Sequence, residues 1–227
     1  LIDSMRGVMG DRLFMGRQKA VALLNLERYE ESADEVVADL RSNPFNLSLV
    51  RAEILEGGYA PGQMPKFISR LDERAEESGN HHAEVIFAGN LYLMEGDSRN
   101  AIKRVRPLFV HRSGMMAVLQ NSTTLARELP LLEVTPEHPE ELQATVDYLL
   151  DVLGWLIGEH SYDEGIKRKA ADSLAAVCGT ALERKVLGDD PQEAADRFGE
   201  LLEQVRVVHP QSKYLYSSQL TLAAYTR

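Results

Sequence analysis

The chain has 227 residues, 35 acidic against 25 basic side chains, a formal net charge of −10 and one cysteine, Cys178. That acidity argues against general nucleic-acid binding, because neutralised phosphates supply most of such affinity. A single thiol precludes an intramolecular disulfide framework and suits a reducing cytosol, while remaining compatible with an exported or periplasmic location; no run of about 18 uncharged apolar residues exists to span a membrane.

Residues 1–10 (LIDSMRGVMG) place Ile2, Met5 and Met9 at helical spacing and end on Gly10. They read as the tail of a preceding helix. The chain opens on Leu1 without a basic-then-apolar leader, which predicts a piece of a longer protein with repeats continuing upstream. Asp11 opens a helix to about Leu26, and its partner over about 29–42 buries Val36, Val37 and Leu40. A second pair follows over about 46–57 and 63–78, with Leu49, Ile54, Phe67, Leu71 and Ala75 as core. Its Gly57-Gly58-Tyr59-Ala60-Pro61-Gly62 connection reads as turn chemistry, with a functional loop as the alternative.

The clearest pair spans His82 to Leu108. Val85, Ala88, Gly89 and Tyr92 recur at intervals of three and four and share one helical face. Gly96 suits a left-handed helix end, and Asp97 or Ser98 can cap the next helix, whose stripe is Ala101, Val105 and Leu108. Small residues at 89 and 101 predict a close approach of the two helices. Pro107 predicts a kink near the end of the second, over about 98–111.

A helix over 113–129 carries Met115, Met116, Leu119 and Leu125. Three prolines in 130–139 then mark the main irregularity, either a domain boundary or an inter-hairpin loop. Beyond it, Leu142, Val146, Leu149, Leu153 and Leu156 form one stripe. Ser161 is the expected cap of a helix from Tyr162 to about Leu187, whose many alanines permit packing on both sides. Gly188-Asp189-Asp190-Pro191 ends that helix and starts another, lined by Ala194, Phe198, Leu201, Val205 and Val208. The last segment, 211–227, has no acid and three tyrosines, with apolar residues on more than one side.

The pattern in 82–112, and a second copy in 13–46 with Ala20, Leu23, Tyr29, Ser32, Val36 and Pro44, resembles the tetratricopeptide repeat. Ala20 and Ser32 lie twelve apart, as Gly89 and Ala101 do. Ser32 and Ala101 lie 69 apart, two repeats of about 34 plus one. The resemblance covers 11–112. It implies an all-α, right-handed α-solenoid of antiparallel helix hairpins, with about ten or eleven helices. Residues 1–129 would hold the repeats, and 130–227 further hairpins continuous with them.

No constellation for catalysis stands out, and no cofactor or metal is expected. His81 and His82 are adjacent and point apart, whereas a helical zinc pair wants histidines one turn apart. Cys178 sits among alanines as a small buried hydrophobe. The expected function is therefore a non-catalytic scaffold or adaptor for a protein or peptide partner, with neither nucleic acid nor a membrane span involved. A regulatory module for a small molecule or signalling peptide, with a pocket near Tyr59, Asn90 and Trp155, is the alternative; a metal-dependent helical enzyme stands behind both. In repeats of this kind the first helix of each pair lines a concave groove. The resemblance places Phe14, Arg17, Val21, Leu24 and Asn25 there from the first pair, Ile86, Asn90, Leu93 and Met94 from the third, and Arg51 from the middle one. A second candidate surface is a basic stripe, Arg99, Lys103 and Arg106, on one helical face where an acidic partner would fit.

Overall fold

The computed structural model describes residues 2–9, 15–42, 50, 53, 54, 57, 64–77, 82–134, 140–158, 163–188 and 190–226. Eleven α-helices stand among them: α1 (Ile2–Met9), α2 (Gly16–Asn25), α3 (Tyr29–Ser42), α4 (Met64–Glu77), α5 (His82–Met94), α6 (Ser98–Val105), α7 (Arg112–Glu128), α8 (Glu141–Ile157), α9 (Glu164–Arg184), α10 (Pro191–Val208) and α11 (Leu215–Tyr225). The protein is all-α, and its helices pack mostly on near neighbours in sequence. They divide into two compact units, Leu1–Tyr92 and Leu93–Arg227.

In the first unit α2 packs on α3, and α3 on α4. The α2–α3 turn closes with Glu27 in the left-handed region (φ 58°). The Arg28 amide donates to the Leu23 carbonyl and the Glu27 amide to that of Leu24, each at 2.9 Å, so two helix-end carbonyls find donors. Small residues allow the two helices to approach: buried Ser32 donates its hydroxyl to the Ala20 carbonyl at 2.7 Å. Val36, Val37 and Leu40 are buried, as their periodicity predicts. In the middle segment Ile54, Phe67 and Leu71 are buried too, whereas Leu49 lies outside the described residues. Tyr92 donates to the Asp72 carboxylate at 2.9 Å, tying α5 to α4.

The second unit begins as the turn chemistry requires. Gly96 is left-handed (φ 76°), and Asp97 caps α6 by accepting from the Asn100 amide at 2.9 Å. Ala101, Val105 and Leu108 are buried. Pro107 does more than kink this helix: α6 ends at Val105 and a 3-10 turn, Arg106–Val110, follows. A second 3-10 turn, Leu129–Leu131, closes α7. The helix expected from Tyr162 begins instead at Glu164, where Asp163 accepts from the amides of Gly165 and Ile166. A carboxylate at that position serves as well as the hydroxyl expected at Ser161, which lies outside the described residues. That helix, α9, stops at Arg184, with Lys185 left-handed beyond it. Asp190 and Pro191 open α10 as the sequence indicates.

Consecutive helices α7 to α11 pack pairwise, and α6 meets α8, α7 meets α9, α8 meets α10 and α9 meets α11. The 21-residue α9 thus contacts four others and forms the centre of the unit. Its Ala170, Ala171, Leu174, Ala175, Val177 and Cys178 are fully buried. The stripe Leu142, Val146, Leu149, Leu153 and Leu156 of α8 is buried against its neighbours. Each such leucine contributes roughly 1.5–3 kcal/mol through burial.

Candidate binding groove

Three alternate helices of the second unit, α7, α9 and α11, line a groove of about 790 Å³. Helix α7 supplies Met116, Leu119, Gln120, Thr123, Ala126 and Arg127, at intervals of three and four, with Pro130 just beyond. Helix α9 supplies Lys169, Asp172, Ser173, Ala176, Gly179, Thr180 and Glu183 with the same period. The start of α11 and the turn before it add Lys213, Tyr214, Ser217, Ser218 and Thr221. One face of each helix therefore points into the same space.

The floor is made of small and hydroxyl-bearing residues. The Thr123 and Ser173 hydroxyls lie 3.2 Å apart and join α7 to α9. Ser218 is buried and donates to the Ala175 carbonyl at 2.7 Å, which seats α11 on α9. The same device, a buried serine on an alanine carbonyl, joins α3 to α2 in the first unit. Charges of both signs stand in the lining: Arg127, Lys169 and Lys213 against Asp172 and Glu183. Asp172 Oδ2 lies 3.7 Å from His209 Nε2. The Lys213 ammonium stands 4.6 Å from the Tyr214 ring centroid. Hydrogen bonding to Tyr214, with Asp172 further away, holds it above its ordinary value. The groove thus offers hydroxyls, apolar side chains such as Met116, Leu119 and Tyr214, and charges for orientation.

The residues that the tetratricopeptide resemblance assigns to a groove lie elsewhere. Phe14 and Arg51 are outside the described residues. Arg17 is half-buried, with its guanidinium 3.2 Å from the Glu53 carboxylate. Asn25 is exposed and donates to the Gly57 carbonyl at 2.7 Å. Ile86, Asn90 and Met94 are buried at 3%, 2% and 1% exposure, so a partner would reach them only after neighbouring side chains moved. Tyr59, proposed to border a small-molecule pocket, is outside the described residues, and Trp155 stacks on Phe109 with centroids 4.2 Å apart. Arg99, Lys103 and Arg106 are all exposed.

Sequence reasoning missed the α7–α9–α11 groove. A signal was present: Ser173, Ala176 and Thr180 recur at three and four, and Thr221 lies four beyond Ser217 and three beyond Ser218. It matches the signature of a helix packed closely on its neighbours, and that is how α9 read.

Among the described residues no cluster of three or more His, Cys, Asp or Glu could hold a metal ion, and no helix is long and apolar enough to cross a membrane. Cys178 is fully buried, and burial pushes its thiol up to about 12. In comparisons with known proteins, no family model, no curated protein and no solved structure matches the chain.

Proposed function

We propose that the chain is a non-catalytic module of helical hairpins, a tetratricopeptide-like right-handed solenoid, that holds a segment of a protein or peptide partner in the α7–α9–α11 groove. The observation that carries the reading is the alternation: every second helix presents its small and polar face to one shared channel. Stacked hairpins leave such a surface because each helix packs on its next and next-but-one neighbours. The residue types fit a peptide. Hydroxyl oxygens of Thr123, Thr180, Ser217 and Thr221 can accept from a peptide's backbone amides, and Arg127, Lys169 and Glu183 can select charged side chains. A volume of about 790 Å³ also falls in the range that encloses drug-sized molecules, which favours a small ligand as the second reading.

Selection from a displayed random-peptide library, followed by affinity measurement on the parent and an Ala176→Trp variant, tests the proposal. Ala176 lies in the lining and is half-exposed, so an indole there fills the groove without entering the core. The expected result is a set of related peptides that bind the parent and lose about tenfold or more with the variant, at unchanged melting temperature. Peptides that bind both proteins equally would place recognition elsewhere. A library without binders, alongside a small-molecule screen whose hits are blocked by Ala176→Trp, would establish the second reading.

A further inference from the structure

We propose that the exposed face of α6, bearing Arg99, Lys103 and Arg106, docks a short acidic segment of a partner protein. This surface is separate from the groove, to which α6 contributes no residue. At 100° per residue the three side chains fall within about 60° of arc, and they climb about 10 Å along the helix. Arg106 keeps helical dihedrals (φ −53°, ψ −40°), so the geometry holds to its end. The opposite face, Ala101 and Val105, is buried and fixes α6 against the unit.

Several arginines elsewhere are paired with carboxylates: Arg17 with Glu53, Arg41 with Glu84, Arg112 with Asp163 and Arg197 with Asp151. Among the described residues Arg99, Lys103 and Arg106 have no such pair, although the chain carries ten more acids than bases. The helix dipole favours Lys103 and Arg106 at the end of α6, but two other effects oppose the stripe. Like charges at intervals of four and three repel. Arg99 also sits in the first turn of α6, where the helix dipole opposes a cation. The nearest capping acid, Asp97, is already committed to the amide and side chain of Asn100.

Charge and size define the occupant. A duplex or an anionic membrane would bring a long negative surface against an acidic protein, whereas a short peptide meets only the stripe. Repulsion from more distant acids is screened beyond about 8 Å at physiological salt. Acids at alternate positions of an extended chain repeat every ~7 Å, close to the ~6 Å rise between Arg99 and Lys103.

The test is fluorescence anisotropy with a labelled poly-glutamate peptide. It compares the parent, a stripe variant (Arg99→Glu, Lys103→Glu, Arg106→Glu) and a control with the same charge change (Lys66→Glu, Arg168→Glu, Lys185→Glu). The parent is expected to bind in a salt-sensitive manner, the stripe variant to lose at least about tenfold, and the control to lose no more than about twofold. If the reversed stripe unfolds, the Gln triple variant at the same positions carries the comparison. Failure of the parent to bind, or equal loss in both variants, overturns the proposal. So does tighter stripe-dependent binding of phosphatidylserine vesicles or duplex DNA than of the peptide.

Discussion

A Cβ placed on Gly114 would stand 2.1 Å from the carbonyl oxygen of Leu108. The 3-10 turn that Pro107 imposes therefore lies directly against the first turn of α7, and only a residue without a side chain fits between them. Gly114→Ala is expected to destabilise the protein by roughly 1–3 kcal/mol, because the obstacle is backbone that cannot rotate away. Gly7→Ala is the control. Nothing lies within 4 Å of its added methyl, and alanine is the better helix former, so its stability should hold or rise. Thermal melts of both variants decide the matter.

The seat of α11 on α9 is equally narrow. A methyl on Gly179 would meet the Ser218 hydroxyl at 2.7 Å, the same hydroxyl that donates to Ala175. Ser218→Ala removes one hydrogen bond and should cost about 0.5–1.5 kcal/mol. Gly179→Ala should cost at least as much and raise amide exchange in α11 selectively. Uniform exchange across the second unit in that variant would show that α11 is not the element displaced.

Two buried groups set the alkaline limit. Burial pushes the Tyr148 phenol up to about 12, with the neighbouring polar side chains of Ser122 and Asn121 offsetting part of the effect, and it pushes the Cys178 thiol up to about 12. Both are neutral when protonated, and the unfolded chain releases these protons earlier, near 8.5 for the thiol and 10 for the phenol. The unfolded state then binds fewer protons, so stability falls as pH rises from about 8.5 toward 12 and is insensitive to these groups below that window. Urea midpoints measured across the window should decline, and Cys178→Ala should flatten the part near pH 9 to 10. At neutral pH the native thiol should react with a disulfide reagent only as fast as the protein opens.

Asp190 accepts from the amides of Gln192 and Glu193 at 2.9 and 3.1 Å. Asp190→Ala leaves those donors without the cap and should cost roughly 0.5–2 kcal/mol, whereas Asp190→Ser should recover most of it. A serine variant no more stable than the alanine one would remove the cap from the account of how α10 begins.

Local order was legible where local chemistry decides it. The interval from Tyr29 to Ser42, the left-handed Gly96, and the Asp190-Pro191 start of α10 all follow from periodicity and turn residues within a few positions. The outcome at Pro107 was half legible. Proline forbids continued α-helix, yet whether the chain kinks or tightens into a 3-10 turn depends on Gly114, seven residues later. The groove was not legible. A threonine or alanine every third or fourth residue satisfies both a helix pressed on its neighbour and a helix facing an open channel. Only the placement of α7, α9 and α11 side by side separates the two, and that arises from contacts between residues some 50 positions apart, such as Thr123 with Ser173.

Within the second unit, helices touch their next and next-but-one neighbours, with α9 in the middle. Tension applied at the C-terminus would meet α11 first, held by its contacts with α9 and α10. A chain pulled in an optical trap should thus lengthen in small successive steps from that end rather than in one rupture, and α9 should be among the last helices to let go.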